Sequence, residues 1–344
     1  MMDKKQILLL NTGGTLSSVK GAKGLQPGLG RKDILEDLMP VAKDCYLEFE
    51  DIYSLDSANI TPKHWKRLAE KIGEVWESYD GIVVIHGTDT MAYTASMLSF
   101  MLCGIKIPVV LTGSQLSISH PVADAMENCR AAIYMAASGH AGVYVAFNRK
   151  IMLGARVSKV RTMSFDAFES INYPCAAVMN AFGMEVNEAV LPHVEKEKDF
   201  VPDISCSAQV ALIKLIPGMT AEWFRMLLTM GFRGAVIEAF GLGGIPFIEG
   251  NDLSHAVREA AEAGMVIVVG SQCRYDGSNL SIYETGRRAL KNGVVQMYDM
   301  TTEAAVTKLM WLLGHDMDVE EVKQQFMTPV CCEVRPGFRP CVEG

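Results

Sequence analysis

Short apolar runs alternating with helical patterns organise this chain. Ile7–Leu10 and Gly81–Ile85 are continuous apolar runs of the kind buried on both faces in parallel sheets. Tyr46–Tyr53 and Val109–Thr112 complete a first set of strands. Between them the pattern predicts helices at Arg31–Leu38, after Thr61-Pro62, at Thr90–Met101 and at Val122–Ala137. Thr61 suits an N-cap and Pro62 a first helical position, where a missing N–H costs nothing. Gly142–Phe147 and Ile151–Val157 alternate around Asn148-Arg149-Lys150 and predict a hairpin.

From about Glu185 to Asp203 the pattern loosens. The charge run Glu195-Lys196-Glu197-Lys198-Asp199 lies between Pro192 and Pro202 and reads as a linker. Alternation then resumes with strands at Val210–Ile216, Ala235–Ala239, Val266–Gly270 and Val294–Tyr298. Helices are expected at Thr220–Met230, Leu253–Ala263 and Ser281–Lys291, with two more helical stretches between Thr301 and Phe326. The expectation is an α/β fold of two parallel-sheet domains, a larger N-terminal flavodoxin-like or Rossmann-like layer and a smaller C-terminal one. The boundaries read as 1–184, a linker at 185–206, and 207–344.

A length of 344 residues agrees with two cores, and 49% hydrophobic residues suffice to fill them. The net charge of −8 and the shortness of basic runs such as Lys63–Arg67 and Arg287-Arg288 argue against a nucleic-acid surface. No apolar run is long enough to span a membrane, and the start Met1-Met2-Asp3-Lys4-Lys5 leads straight into a strand without a signal-like segment. The nine cysteines are odd in number and scattered, with no Cys-x-x-Cys pair, which fits reduced thiols in a cytoplasmic protein. Vicinal Cys331-Cys332 reads as a packing feature. The seven histidines lack metal-ligand spacing, so no metal is expected.

Chemistry concentrates in two strings, Asn11-Thr12-Gly13-Gly14-Thr15 and His86-Gly87-Thr88-Asp89-Thr90. Each follows a buried strand, and carboxyl ends of parallel strands share one crevice where ligands bind. Thr12, Thr88 and Asp89 are therefore expected at one site, suited to acyl transfer. Taken alone, the first string equally fits a phosphate-cradling turn, although it lacks the third glycine of a dinucleotide fingerprint and the Gly-Lys-Ser/Thr of a P-loop. A threonine hydroxyl needs a base or proton relay to act as a nucleophile. Lys159 is one candidate among many lysines, and its bare pattern is that of a solvated hairpin residue. His86 reads as a structural histidine at a strand end. Cys273, Tyr275 and Asp276 follow another strand end and fit ordinary loop positions as well.

Over nearly its full length the chain resembles the bacterial-type L-asparaginase family, specifically its cytosolic type I branch. The resemblance runs from Thr12-Gly-Gly-Thr-Leu through His86-Gly-Thr-Asp-Thr-Met to Tyr283-Glu-Thr-Gly-Arg-Arg-Ala-Leu. Leu55-Asp-Ser-Ala-Asn-Ile-Thr-Pro, Leu111-Thr-Gly-Ser-Gln and Phe165-Asp-Ala-Phe-Glu-Ser also match family segments. The resemblance implies that Thr12 forms an acyl-threonine ester and that Thr88, Asp89 and Lys159 form a second catalytic group. It implies that Asp56, Ser57 and Asp89 grip the substrate α-ammonium and α-carboxylate. It further implies that the second domain of a neighbouring subunit completes the site, with Tyr275 as the match, in a homodimer or homotetramer that needs no cofactor. One departure stands out: Lys23-Gly24-Leu25-Gln26-Pro27 places leucine where the family has an assisting tyrosine. The expected reaction is hydrolysis of L-asparagine to L-aspartate and ammonia. The alternatives are a glutaminase-type or tRNA-linked amidase, for whose extra N-terminal domain the position of Thr12 leaves no room, and a non-catalytic amino-acid sensor.

Overall fold

The computed structural model describes residues 4–14, 16, 18–21, 24–27, 36, 38, 42, 44–195, 199–248 and 251–335. The chain divides into two compact units, Met1–Ile204 and Ser205–Gly344.

In the first unit, β1 (Lys5–Gly13), β4 (Cys45–Leu55), β5 (Gly81–Ile85), β6 (Pro108–Thr112) and β7 (Gly142–Phe147) run parallel in the spatial order β4-β1-β5-β6-β7. Every residue of β5, β6 and β7 is buried, which accounts for their unbroken apolar sequences. A short antiparallel pair, β2 (Ser18–Gly21) and β3 (Gly24–Pro27), follows β1. Helix α1 (Pro62–Val75) buries Trp65, Leu68, Ala69 and Ile72, one stripe at helical spacing. Helix α2 (Met91–Met101) is buried nearly all round, whereas α3 (Ala125–Ala136) buries one broad face. The helix expected at 31–38 falls almost wholly outside the described residues.

The expected hairpin forms between β7 and β8 (Lys150–Leu153). Its two-residue turn places Asn148 at φ 48° and Arg149 at φ 63°, the left-handed pair that matches strand twist. The second strand is shorter than its alternation suggested. Gly154–Arg156 forms a 3-10 turn, and Ser96 of α2 donates to the Gly154 carbonyl at 3.3 Å as the chain leaves the sheet. It then forms β9 (Val157–Lys159), paired antiparallel with β10 (Phe168–Ser170). Two further strands, β11 (Ala177–Asn180) and β12 (Gly183–Val186), extend the main sheet from β8. The first sheet is thus mixed, parallel in its centre and antiparallel at one edge: tight turns join β7 to β8 and β11 to β12, and the excursion through β9 and β10 returns β11 antiparallel to β8 without a helical crossover.

In the second unit β13 (Val210–Lys214), β14 (Gly234–Ala239), β17 (Val266–Ser271) and β18 (Val295–Gln296) form a fully parallel sheet in that order. A small pair, β15 (Phe247–Ile248) and β16 (Asn251–Asp252), precedes the second connecting helix. The connecting helices are α4 (Glu222–Thr229), α5 (Leu253–Glu262) and α6 (Glu284–Lys291), followed by α7 (Thr302–Leu312) and α8 (Val319–Met327). Ile213, Ile237, Ile267 and Val269 on the sheet pack with Phe224, Val257 and Ala260 on α4 and α5. In α7, Lys308 is fully buried and donates to Thr328 O and to the equally buried Glu333. Among the described residues no helix is long and apolar enough to cross a membrane.

Candidate active site

Taken in chain order, the parallel strands of the first unit lie 2-1-3-4-5, and this order reverses at β1. Carboxyl ends at such a switch point splay apart and leave the crevice in which α/β sheets bind ligands. Thr12 stands at the end of β1 and Thr88 just past β5, one on each side of it.

The pairing of β1 with β4 shifts register between Asn11 and Gly13, an irregularity of the kind that re-aims a side chain. Thr12 lies at this shift, 2% exposed, and its Oγ1 donates to the Ile85 carbonyl at 2.8 Å. Asn11 fixes the turn by donating to Asp51 Oδ1 at 2.7 Å and accepting from the Gly13 N–H at 3.1 Å. Beyond it the two strings touch through their main chains. A Cβ on Gly14 would stand 2.5 Å from Gly87 N and Cα, so only glycine permits this approach.

Lys159, the last residue of β9, projects its ammonium between the two acceptors of the second string. Nζ donates to Thr88 Oγ1 at 2.8 Å and to Asp89 Oδ1 at 2.6 Å. The lysine side chain is 15% exposed and the aspartate 64%. An ion pair open on one side contributes little to stability. Asp56 and Ser57 occupy the next turn. The Asp56 carboxylate accepts from Ala58 N–H at 2.9 Å. Ser57 Oγ accepts from Asp89 N–H at 3.2 Å, and Thr90 Oγ1 donates to the Ser57 carbonyl at 2.8 Å. Two hydrogen bonds therefore lock the 56–59 turn onto the 88–90 turn.

His86 is buried beneath the second string and takes no part in a base arrangement. Its Nδ1 faces the Gly87 carbonyl at 2.7 Å, and Nε2 faces Thr94 Oγ1 at 3.0 Å, which itself accepts from Trp65 Nε1 at 2.9 Å. A carbonyl only accepts, so the ring carries its proton on Nδ1 and receives the Thr94 hydroxyl at Nε2. Burial pushes its pKa down to about 4 against the smaller opposing pull of the Gly87 carbonyl, and the ring is neutral.

Pattern reading gave Gln115 no role, yet it touches the site. Thr88 Oγ1 donates to Gln115 Oε1 at 3.4 Å, a long contact. Its sequence signals were its place past β6, as Thr88 lies past β5, and its membership of the family-like segment Leu111-Thr-Gly-Ser-Gln. Tyr275 belongs to the second unit, where it is 46% exposed beyond β17. Leu25 has its backbone in β3 opposite Lys20, while its side chain lies outside the described residues. Among the described residues no group of three His, Cys, Asp or Glu side chains is arranged to hold a metal ion.

Buried hydroxyls, a lysine bridging one of them to a carboxylate, and a strand-end crevice at the switch point give this α/β protein a site suited to acyl transfer. Residues 6–191 match the family model described as asparaginase, N-terminal, and residues 209–326 match that of the glutaminase/asparaginase C-terminal domain. The chain belongs to the asparaginase family. It is 44% identical to the L-asparaginase of Thermococcus kodakarensis over 93% of this chain and 96% of that one. It is 35% identical to a subunit of the glutamyl-tRNA(Gln) amidotransferase of Pyrococcus horikoshii, over 97% of this chain and 77% of the relative. The solved structure of the thermostable L-asparaginase from Thermococcus kodakarensis superposes with a TM-score of 0.90 at 41% identity, covering 96% and 99% of the two chains.

Proposed function

We propose that the protein hydrolyses L-asparagine to L-aspartate and ammonia through an ester on Thr12. The observation that carries this reading is the Lys159 ammonium held between Thr88 Oγ1 and Asp89 Oδ1, at the same switch point as Thr12. In the first step Thr12 Oγ1 bonds to the side-chain amide carbon and loses its proton, the C–N bond breaks, and protonated nitrogen leaves as ammonia. Its resting partner, the Ile85 carbonyl, is no base at neutral pH, so the hydroxyl must turn from it to react. In the second step water attacks the ester carbon, surrendering a proton through the Thr88–Lys159–Asp89 group, and Thr12 recovers its own as aspartate departs.

Asp56, Ser57 and Asp89 are the residues for the substrate's charged end, a carboxylate for the ammonium and a hydroxyl with neighbouring N–H groups for the carboxylate. The N–H groups of Gly13, Gly14 and Asp89 are engaged by Asn11 Oδ1, Leu55 O and Ser57 Oγ. Stabilising the oxyanion therefore falls to other main-chain donors of the two strings. With leucine at position 25, the proton of Thr12 requires another acceptor, and Tyr275 of the partner subunit fills that role in a homodimer or larger homo-oligomer. The eight cysteines among the described residues form no disulfide with one another, which suits a cytoplasmic enzyme.

The relationship to the amidotransferase chain supports a second reading, in which the released ammonia serves another reaction and glutamine is a substrate. Ammonia release by the purified protein, measured with L-asparagine and L-glutamine in parallel, tests both. Faster turnover of asparagine upholds the first reading, preference for glutamine the second, and release from neither overturns the assignment.

A further inference from the structure

We infer that Gln115 is a positioning residue for this reaction, orienting the Thr88 hydroxyl by means of an amide that is itself fixed on three sides. The inference rests on the asparaginase reading above. Gln115 Nε2 donates to two main-chain carbonyls, Thr162 O at 3.1 Å and Ser164 O at 3.0 Å. Carbonyls accept only, so the amide nitrogen must face them and Oε1 must face Thr88. Thr88 Oγ1 then has one arrangement open to it: a lone pair accepts from Lys159 Nζ while the hydroxyl proton points at Gln115. A threonine hydroxyl otherwise turns freely about its C–O bond. Gln115 removes that freedom and keeps the lysine-facing lone pair in place.

The support beneath Gln115 is unusually complete. Its N–H donates to both carboxylate oxygens of Asp124 at 3.0 Å, and the Leu116 N–H donates to Asp124 Oδ1 at 3.2 Å. Asp124 occupies the N-cap position of α3 but makes no side-chain cap bond there. A residue of this type at that position ordinarily caps its helix. Here the carboxylate faces Gln115 and Leu116 instead. Asn128, fully buried, donates to Asp124 Oδ2 at 3.0 Å and to the Gly113 carbonyl at 2.9 Å, and it accepts from the Asn148 N–H at 2.8 Å. Asn148 in turn donates to Asp166 Oδ1 at 2.9 Å, beside the segment whose carbonyls hold the Gln115 amide. Polar side chains thus brace both the backbone and the amide of Gln115, as preorganised sites require.

Two variants of the full-length protein test this. In Gln115→Met the shape persists but both kinds of hydrogen bond are lost, and kcat on L-asparagine should fall about tenfold while KM changes less than about twofold. Gln115→Glu keeps the acceptor toward Thr88 but as a carboxylate offers no donor to the two carbonyls. Protonation restores one donor, so its kcat relative to wild type should rise about fivefold or more from about pH 8 to about pH 5, approaching the glutamate range. A purely structural loss gives a ratio that does not move with pH. Wild-type kcat in Gln115→Met, a loss confined to KM, or a flat ratio in Gln115→Glu overturns the inference while leaving the asparaginase reading intact. Absence of asparagine hydrolysis by the wild type overturns that reading first.

Discussion

One ammonium joins Lys159 to Thr88 and to Asp89, residues that lie 71 and 70 positions earlier in the chain, with contacts of 2.8 and 2.6 Å. It gets there because the chain leaves the main sheet at Gly154–Arg156 and pairs β9 with β10, placing the final residue of β9 against the second string. In the proposed mechanism the cation pairs with Asp89 and polarises Thr88. Lys159→Met should lower kcat by about a hundredfold or more with a smaller effect on KM, as for loss of an acid–base group. Steady-state kinetics checks this, and an unchanged kcat removes Lys159 from the reaction.

Thr12→Ala should abolish turnover while lowering thermal stability only modestly, because the buried hydroxyl makes one hydrogen bond, to the Ile85 carbonyl. Rapid acid quench of the wild type followed by peptide mapping should find the aspartyl group on Thr12. An ester on Thr88 instead would exchange the roles of the two threonines.

If Tyr275 of the partner subunit serves Thr12, Tyr275→Phe should be impaired in intact oligomers. Mixing Thr12→Ala chains with Tyr275→Phe chains should then restore activity, since half of the sites in a mixed dimer receive both native residues. Mixtures no more active than their parents would confine Tyr275 to its own unit.

His86 makes stability depend on mild acid. Its folded pKa of about 4 lies below the ordinary histidine value of about 6.5, so the unfolded chain binds the extra proton between them. Stability is complete above about pH 6.5 and declines toward pH 4, by about 3 kcal/mol in total from this group. Urea unfolding at stepped pH should show a decline in wild type that His86→Gln lacks.

The second unit carries its own acid-sensitive clamp. Burial by itself would raise the Glu333 pKa, but the Lys308 charge and the N–H groups around its carboxylate outweigh burial and hold it below the usual range. Its stabilising effect is present above about pH 4.3 and fades as pH drops through the lower folded value. Glu333→Gln leaves the buried Lys308 charge uncompensated and should cost about 3–5 kcal/mol in chemical denaturation. Adding Lys308→Met should recover most of that loss.

What could be read from sequence follows from which signals are local. The parallel strands announced themselves because β5, β6 and β7 are buried on both faces and hence apolar throughout. Thr12, Thr88 and Asp89 were legible as strand-end residues for the same reason. Strands β10, β11 and β12 were not, since each spans three or four residues with mixed burial and offers no period to detect. Lys159 and Gln115 owe their places to pairings with distant segments, β10 for one and the 162–164 carbonyls for the other. No pattern along the chain singles out one lysine or one glutamine for such partners. The family resemblance supplied the lysine with its role; it also covered the glutamine, within Leu111-Thr-Gly-Ser-Gln, but the role of Gln115 emerged only from the geometry.

The contact of Gly14 with Gly87 also bears on how such an enzyme can be altered. Where two main chains meet without side chains between them, no substitution can shift the point at which attack occurs without prising the strings apart. On the proposed reading, preference among amides has to be rewritten on the surrounding walls, at Asp56, Ser57 and the groups reaching in from other segments. A library aimed at new substrates should vary those walls and leave both glycines untouched.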